Sequence, residues 1–250
     1  MTKVLLIGCN GKMGGVVTEC AENYGDIEIA AGVDVSCEPQ YGYPVFSDIN
    51  DVDVESDVII DFSNPVVTDS VLEYAESHSI PVVMCTTGLS ERQLEKINET
   101  AKKVPVFSSF NMSLGVNLLL ELSKKAAKAL GNSFDIEIIE QHHNQKIDAP
   151  SGTAFMLANA VNEALGGEMQ YKYDRHSSRI KREKNEIGIH SVRGGTIVGE
   201  HSVIFAGNDE IITLSHSARS KSIFAVGALN AARFLNGKAA GLYNMQNLID

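Results

Sequence analysis

A short apolar run at residues 4–7 (VLLI) ends directly in glycines, the pattern of a strand buried on both faces of a parallel sheet. Residues 13–24 then carry helical spacing, and residues 27–34 (IEIAAGVD) read as a second strand. The alternation continues with a strand at 57–61, a helix at 65–78, a strand at 80–84, a helix at 90–103 and a strand at 104–107. Strands and helices in strict turn, with short connections, predict an α/β fold. Its core is a doubly wound, parallel (Rossmann-like) sheet with helices on both faces.

The rhythm breaks after about residue 112. Residues 114–130 predict a longer helix with Leu114, Leu118, Leu119 and Leu122 on one stripe, 134–141 (FDIEIIEQ) an alternating strand, and 153–165 a helix. The polar stretch from 166 to about 186 suits a mobile surface loop. Strands at 187–192, 197–205 and 210–215 follow one another directly, which predicts a mixed or antiparallel sheet and a second, α+β domain. An amphipathic helix at 224–235 is expected to return to the first domain. The expected division is 1–112 with 217–250, and 113–216. Ligands in this sheet type bind outside the carboxyl ends of the parallel strands, so the crevice between the domains is expected there.

Composition narrows this picture without altering it. The 250 residues are 44% apolar and 21% charged, enough for a real core in one large or two ordinary domains. With 32 acidic and 21 basic side chains the formal net charge is −11. Such a surface repels phosphodiester backbone and anionic lipid, so neither nucleic acid nor membrane is an expected partner. A small anion can still be held by a few placed cations and backbone N–H groups. Cys9, Cys20, Cys37 and Cys85 lie far apart, without a C-x-x-C pattern, as in a cytosolic protein with reduced thiols. Lys3 ahead of Val4-Leu5-Leu6-Ile7 imitates a signal peptide, but the run is far shorter than the ~7–15 residues of an h-region. No stretch approaches the ~18–20 apolar residues of a membrane span, and the expectation is a soluble, cytoplasmic protein.

The first strand and first helix are joined by Gly8-Cys9-Asn10-Gly11-Lys12-Met13-Gly14. Glycines there serve the tight turn, the approach of backbone N–H groups to a pyrophosphate, and close helix–strand packing. The commoner fingerprint has glycine where Asn10 stands. Context strengthens the motif: it follows a strand, opens a helix, and Asp34 ends the second strand. An acidic side chain at that point accepts hydrogen bonds from the adenosine ribose and disfavours a 2′-phosphate. Val35-Ser36 supply no arginine, and Lys12 is the nearest cation, so NADH is favoured with NADPH use open. A Walker A loop is excluded, since Met13 follows Gly11-Lys12 where Ser or Thr is required. Asp61-Phe62-Ser63 and Cys85-Thr86-Thr87-Gly88 each follow a strand on the cofactor side; they fit ribose and nicotinamide contacts or ordinary turn chemistry equally well.

The densest chemistry runs from Glu140 to Thr153 (EQHHNQKIDAPSGT). Adjacent strand residues face opposite sides, so His142 and His143 can share a site only where the strand has become loop. Zinc is a poor reading, with no H-E-x-x-H and no nearby Cys, and no metal is expected. Ser151, Gly152 and Thr153 present hydroxyls and N–H groups at a helix N-terminus, which suits carboxylate or phosphate. Lys146 adds a full charge and three donors. Each residue alone fits a solvated loop with a helix cap; together they point to an anion site with a proton donor attached.

These motifs resemble the 4-hydroxy-tetrahydrodipicolinate reductase (dihydrodipicolinate reductase) family of lysine and diaminopimelate synthesis. The resemblance runs from end to end: the G-x-x-G-x-x-G loop, DFS-x-P at 61–65, TTG at 86–88, N-x-S-x-G-V-N at 111–117, E-x-H-H-x-x-K-x-D-A-P-S-G-T at 140–153, G-x-I-V-G-E-H-x-V-x-F near 195–205 and F-A-x-G-A at 224–228. It implies an N-terminal nucleotide domain, a C-terminal domain for substrate and oligomerisation, a homotetramer, and hydride transfer to C4 of a cyclic dicarboxylate followed by protonation. By motif position it implies that His142 is the catalytic histidine and Lys146 the proton-donating lysine, the order of donation being open. His143, Gly152 and Thr153 fall at substrate carboxylate contacts. Gly8, Cys9, Asn10, Gly11, Lys12 and Met13, with Asp34, Cys85, Thr86, Thr87, Ser109, Phe110, Asn111 and Met112, fall at nucleotide contacts. Two positions depart from the family's pattern: Cys85 replaces a frequent glycine, and Lys221 stands where arginine is expected, without its bidentate geometry. Two other readings remain: a different two-domain NAD(P)-dependent dehydrogenase, which the H-H-x-x-K…S-G-T cluster disfavours, and a non-catalytic dinucleotide sensor, which would need neither His142 nor Lys146.

Overall fold

The structure is a computed structural model that describes residues 1–249. In chain order the elements are β1 (Thr2–Ile7), α1 (Lys12–Ala21), β2 (Ile27–Val33), β3 (Val45–Phe46), β4 (Val58–Asp61), α2 (Thr68–His78), β5 (Val82–Met84), α3 (Glu91–Thr100), β6 (Pro105–Ser108) and α4 (Leu114–Leu130). They continue with β7 (Asp135–His142), α5 (Gly152–Ala164), β8 (Gln170–Lys172), β9 (Glu186–Arg193), β10 (Gly199–Ala206), β11 (Ile211–Ala218), α6 (Ser222–Leu235), β12 (Gly241–Tyr243) and α7 (Gln246–Ile249). The chain divides into two compact units, Met1–Leu114 with Lys221–Asp250, and Gly115–Ser220.

The first unit holds a seven-stranded sheet in the order β12-β6-β5-β4-β1-β2-β3, with every pairing parallel. Strands of this kind are covered on both faces, and so read as continuous apolar runs. Val4 and Leu6 of β1 point to one face, against Val17 and Ala21 of α1 and Ala228, Leu229 and Leu235 of α6. Leu5 and Ile7 point to the other, against Val71, Leu72 and Ala75 of α2 and Ile97 of α3. Helix α6 thus belongs to this unit, and the chain after it adds β12 at the sheet edge beside β6. Strands β3 and β12, of two and three residues, are too short for a periodic signal.

The second unit is a five-stranded mixed sheet in the order β11-β10-β7-β9-β8. Strand β7 lies between an antiparallel neighbour, β10, and a parallel one, β9. One face carries Ile136, Ile138, Ile187, Ile189, Val203 and Phe205, buried against Leu119 and Ala127 of α4 and Ala154, Leu157, Ala158 and Val161 of α5. Helix α4 corrects the expected stripe. Leu114, Leu118 and Leu122 are each more than 40% exposed, while Val116, Asn117, Leu119, Ser123 and Ala127 are buried. The helix has two apolar stripes, and the one with small residues lets the backbone come close to the sheet.

The stretch expected as a mobile loop contains the edge strand β8 and is tied down by two arginines. Arg182 reaches Asp135 and Glu137 and the carbonyls of Ile136, Glu183 and Glu186. Arg175 bridges Glu186 and Glu137 at 2.9 and 3.0 Å. These contacts join residues up to 47 positions apart and leave no local pattern. Replacing Arg182 with Ala strands carboxylates and carbonyls without their donors, so thermal unfolding is expected to show a loss of about 2 kcal/mol, with faster proteolysis between 173 and 185. An unchanged Tm and digestion pattern would mean that the loop is held by other contacts.

Candidate active site

The first unit's loop is built almost entirely from backbone. Gly8 has φ +77°, a region favouring glycine, and a Cβ there would come within 2.9 Å of the Phe62 carbonyl oxygen. At Gly14 a Cβ would collide with the carbonyls of Gly8 and Cys9. Gly11 is the N-cap of α1, and no side chain caps that helix. Asn10, where a third loop glycine is more usual, braces the turn instead. Its amide donates to Asp34 Oδ2 at 3.0 Å, and its side-chain NH2 donates to the carbonyls of Ser36 and Glu38. Its Oδ1 is buried without a partner among the described residues. Asp34 also accepts the Ser36 amide, so its carboxylate is fixed at the rim of a cavity of about 330 Å³ lined by Gly8, Gly11, Val33, Val35, Ile49 and Phe62.

The other expected nucleotide residues divide by orientation. Cys9 and Met112 are core residues, Met13 packs beside them, and Cys85 is half-buried against the same cluster, so these four offer backbone rather than side chain. Thr86 is buried, with its hydroxyl donating to Asp61 Oδ2 at 2.9 Å. Asp61 has no exposed surface and also accepts the Ser63 amide and hydroxyl. Burial pushes its carboxyl above the usual range, with the Ser63 and Thr86 hydrogen bonds pulling it back. The DFS and TTG motifs therefore brace two adjacent loops through one carboxylate. Lys12, Thr87 and Phe110 are exposed; Phe110, at 93%, lies with Thr87 and Ser109 around a cavity of about 570 Å³. Asn111 and Ser109 shape the turn after β6, where the Ser109 hydroxyl donates to the Asn111 carbonyl at 3.1 Å.

The second unit's site follows from strand parity. Alternation along β7 that buries Ile136 and Ile138 puts Glu140 and His142 on the same, helix-covered face. Register then places His201 of β10 opposite Glu140, and Arg193 of β9 opposite His142. Glu140 has no exposed surface. Its Oε1 accepts the Ser151 amide at 3.1 Å and Arg193 Nη2 at 2.7 Å; its Oε2 meets His142 Nδ1 at 2.5 Å and accepts Arg193 Nη1 at 2.8 Å. Burial opposes the charge, but hydrogen bonds from Arg193, Ser191 and His142 outweigh it and hold the carboxyl down at about 2. Arg193 Nη2 also donates to the Asp148 carbonyl, anchoring the loop between β7 and α5.

β7 ends at His142, so the chain turns between the two adjacent histidines and His143 opens the loop. Lys146, 23% exposed, pairs with Asp148 at 2.9 Å. Ser151 is placed differently from its expected substrate-facing role. It is 2% exposed, its Oγ caps α5 by accepting the Ala154 amide, and the same oxygen lies 3.0 Å from His201 Nε2. Gly152 and Thr153 form the first turn of α5, with Gly152 exposed to solvent. Sequence reasoning missed Arg193 and His201 as members of this site. A charged residue at a buried parity of a strand was the available sign for Glu140; its partners carried no local sign.

The buried charge set makes the unit acid-sensitive. Burial, reinforced by His142, lowers His201 from 6.5 to about 4, so it stays neutral when an unfolded chain would already bind a proton. Stability from His201 is therefore complete above about pH 6.5 and falls as pH drops toward 4, by about 3 kcal/mol. Glu140 adds stability that is present above pH 4.5 and lost toward pH 2. Tm measured against pH should fall through both windows, and His201→Gln should flatten the first while leaving the second. Equal slopes from pH 6.5 to 4 in both proteins would show that His201 is not the group responsible.

The comparisons with known proteins bear on both units. Over residues 2–112 the chain matches the family described as dihydrodipicolinate reductase, N-terminus, and over 115–249 the one described as dihydrodipicolinate reductase, C-terminus. It is 48% identical over 250 residues to 4-hydroxy-tetrahydrodipicolinate reductase of Clostridium tetani, covering 100% of this chain and 98% of that one. It is 51% identical over 249 residues to the protein of the same name in Caldanaerobacter subterraneus subsp. tengcongensis, again covering 100% and 98%. Among solved structures it is similar to a dipicolinate-bound dihydrodipicolinate reductase from Paenisporosarcina sp. TG-14, with 26% identity, a TM-score of 0.82 and 99% of each chain covered.

Proposed function

The chain belongs to the dihydrodipicolinate reductase family, and from that premise we propose its reaction. It transfers hydride from a reduced nicotinamide dinucleotide to 4-hydroxy-tetrahydrodipicolinate, a cyclic unsaturated dicarboxylate, in lysine and diaminopimelate synthesis. The observation that carries this reading is the second unit's site. Two histidines, a lysine and the start of a 13-residue helix lie in one continuous stretch between the end of β7 and α5, in a chain whose net charge is −11. That is the arrangement a dicarboxylate needs from an otherwise acidic protein.

The first unit fits a dinucleotide. Its glycine cradle excludes Cβ atoms at Gly8 and Gly14, α1 begins without a side-chain cap, and Asn10 keeps a buried acceptor without a partner. Backbone of Gly8, Cys9, Asn10, Gly11, Lys12 and Met13 would hold the pyrophosphate, and Asp34 the adenosine ribose. Cys85, Thr86, Thr87, Ser109, Phe110, Asn111 and Met112 would lie along the nicotinamide end. The dinucleotide, when bound, supplies the hydride.

The chain's own residues do the rest. His143 and the first turn of α5, at Gly152 and Thr153, hold substrate carboxylate, with Ser151 fixing the start of the helix from within. Loss of the 4-hydroxyl as water leaves a conjugated ring imine; hydride arrival at its C4 then gives an enamine, whose neighbouring ring carbon must gain a proton. Lys146 Nζ, oriented by its ion pair with Asp148, supplies that proton, and His142 is the second group able to hold one at this site. NADH is the preferred donor, because the fixed Asp34 carboxylate meets a 2′-phosphate with like charge and the loop that follows carries no arginine. The reading also includes a cytoplasmic homotetramer. Support for assembly comes from the sheet face turned away from α4 and α5, where Val192 is 44% and Ile211 67% exposed. No helix among the described residues is long and apolar enough to cross a membrane.

The test is oxidation of NADH and NADPH, each followed by absorbance, with the condensation product of aspartate semialdehyde and pyruvate as substrate. Folded protein that oxidises neither would sink the reading. Lys146→Ala is expected to lower kcat by about 10²–10⁴-fold while the Kd for NADH stays unchanged; equal losses in both would remove the proton role from Lys146. Asp34→Ser should raise the NADPH-to-NADH ratio of kcat/KM by about tenfold, roughly 1.4 kcal/mol of relieved repulsion.

A further inference from the structure

We propose that Glu140 is a positioning residue that fixes a hydrogen on His142 Nδ1, so that Nε2 is the ring nitrogen presented to the reaction. The inference rests on the reading above, in which His142 takes part in catalysis. It follows from counting donors. Besides the hydrogen bond from the Ser191 side chain, four contacts surround the Glu140 carboxylate, two on each oxygen: the Ser151 amide and Arg193 Nη2 on Oε1, and His142 Nδ1 and Arg193 Nη1 on Oε2. A backbone N–H and two guanidinium N–H groups can only donate, and an ionised carboxylate can only accept. With Arg193 bidentate and no exposed surface, the carboxylate stays ionised. The fourth partner must then be a donor too, since an unprotonated Nδ1 would set a lone pair against Oε2 at 2.5 Å. His142 therefore carries its hydrogen on Nδ1.

The ring is confined around the other nitrogen as well. A Cβ at Gly199 would lie 3.1 Å from His142 Nε2, close enough that a larger residue would press on the ring. The His201 ring meets it edge-on with centroids 5.2 Å apart, and His201 is itself held through Ser151. The charged and titratable groups about His142 are thus Glu140 from β7, Arg193 from β9 and His201 from β10, with His216 opposite His201 on β11. Because Oε1 also fixes the Ser151 amide, one carboxylate sets both the tautomer of His142 and the start of the anion-binding helix.

The two oxygens separate in one substitution. In Glu140→Gln the amide oxygen is favoured at Oε1, where the Ser151 amide and Arg193 Nη2 both donate, so the NH2 falls at Oε2, where it faces His142 Nδ1 and leaves Arg193 Nη1 without its acceptor. Nδ1 becomes the acceptor and the proton moves to Nε2, while the hold on Ser151 is kept. Solid-state 15N NMR of histidine-labelled protein, at a pH where the ring is neutral and with the signal assigned by its loss in His142→Asn, reads this directly. The wild type should show His142 protonated on Nδ1, and Glu140→Gln should show Nε2. The kcat of Glu140→Gln should fall about 10- to 100-fold, with KM changed less than about threefold and NADH binding unchanged. Glu140→Asp, which keeps the carboxylate, should recover part of the kcat and the Nδ1 proton.

A wild-type His142 protonated on Nε2 overturns the proposal whether or not any variant folds. The expected tautomers together with an unchanged kcat in Glu140→Gln overturn it through the catalytic assignment of His142, and leave the hydride-transfer reading to its own assay.

Discussion

Glu140, two residues before the end of β7, is a carboxylate with no exposed surface, and much of the second unit is arranged to make that charge tolerable. A buried anion without donors costs several kcal/mol, so its neighbours are constrained to be donors. Arg193 meets that need from β9, the Ser151 amide from the start of α5, and His142 from two residues along the same strand. Each donor is then fixed in turn: Arg193 also grips the Asp148 carbonyl, and Ser151 caps α5. The loop carrying His143 and Lys146 is therefore closed at both ends by contacts to one residue.

The candidate sites of the two units are built by opposite means. The first rests on backbone: a glycine turn, a helix start without a side-chain cap among the described residues, and a fixed carboxylate. Side chains there brace the loops, as Asn10 does across β2 and Asp61 does between the turns after β4 and β5. The second is built on side-chain charge, with an ammonium and imidazoles beside a buried ion pair. A formal charge of −11 thus describes the surface in bulk and says little about either site. What decides is where a few donors are aimed.

The parallel sheet was legible in the chain because strands buried on both faces leave unbroken apolar runs such as Val4-Leu5-Leu6-Ile7. The mixed sheet announced itself through strands that follow one another. Edge strands β3, β8 and β12 left no trace, since two or three residues cannot show a period. For α4 the sequence offered two apolar stripes, and the leucine-rich one is the exposed one. Ser151 read as a ligand-facing hydroxyl and is instead a buried cap, a distinction that depends on which way the strand before it delivers the chain.

The sequence by itself determined the alternation of elements, the glycine cradle with Asp34, and the concentration of chemistry between Glu140 and Thr153. All of these are set within a few residues of one another, by side-chain period, backbone freedom and local capping. Only the tertiary structure decided which groups make the site work together. Arg193 lies 53 positions from Glu140, and His201 lies 50 from Ser151. Strand register brings them into contact, and register is settled by how the apolar faces of β7, β9 and β10 bury themselves, which no stretch of the chain specifies alone.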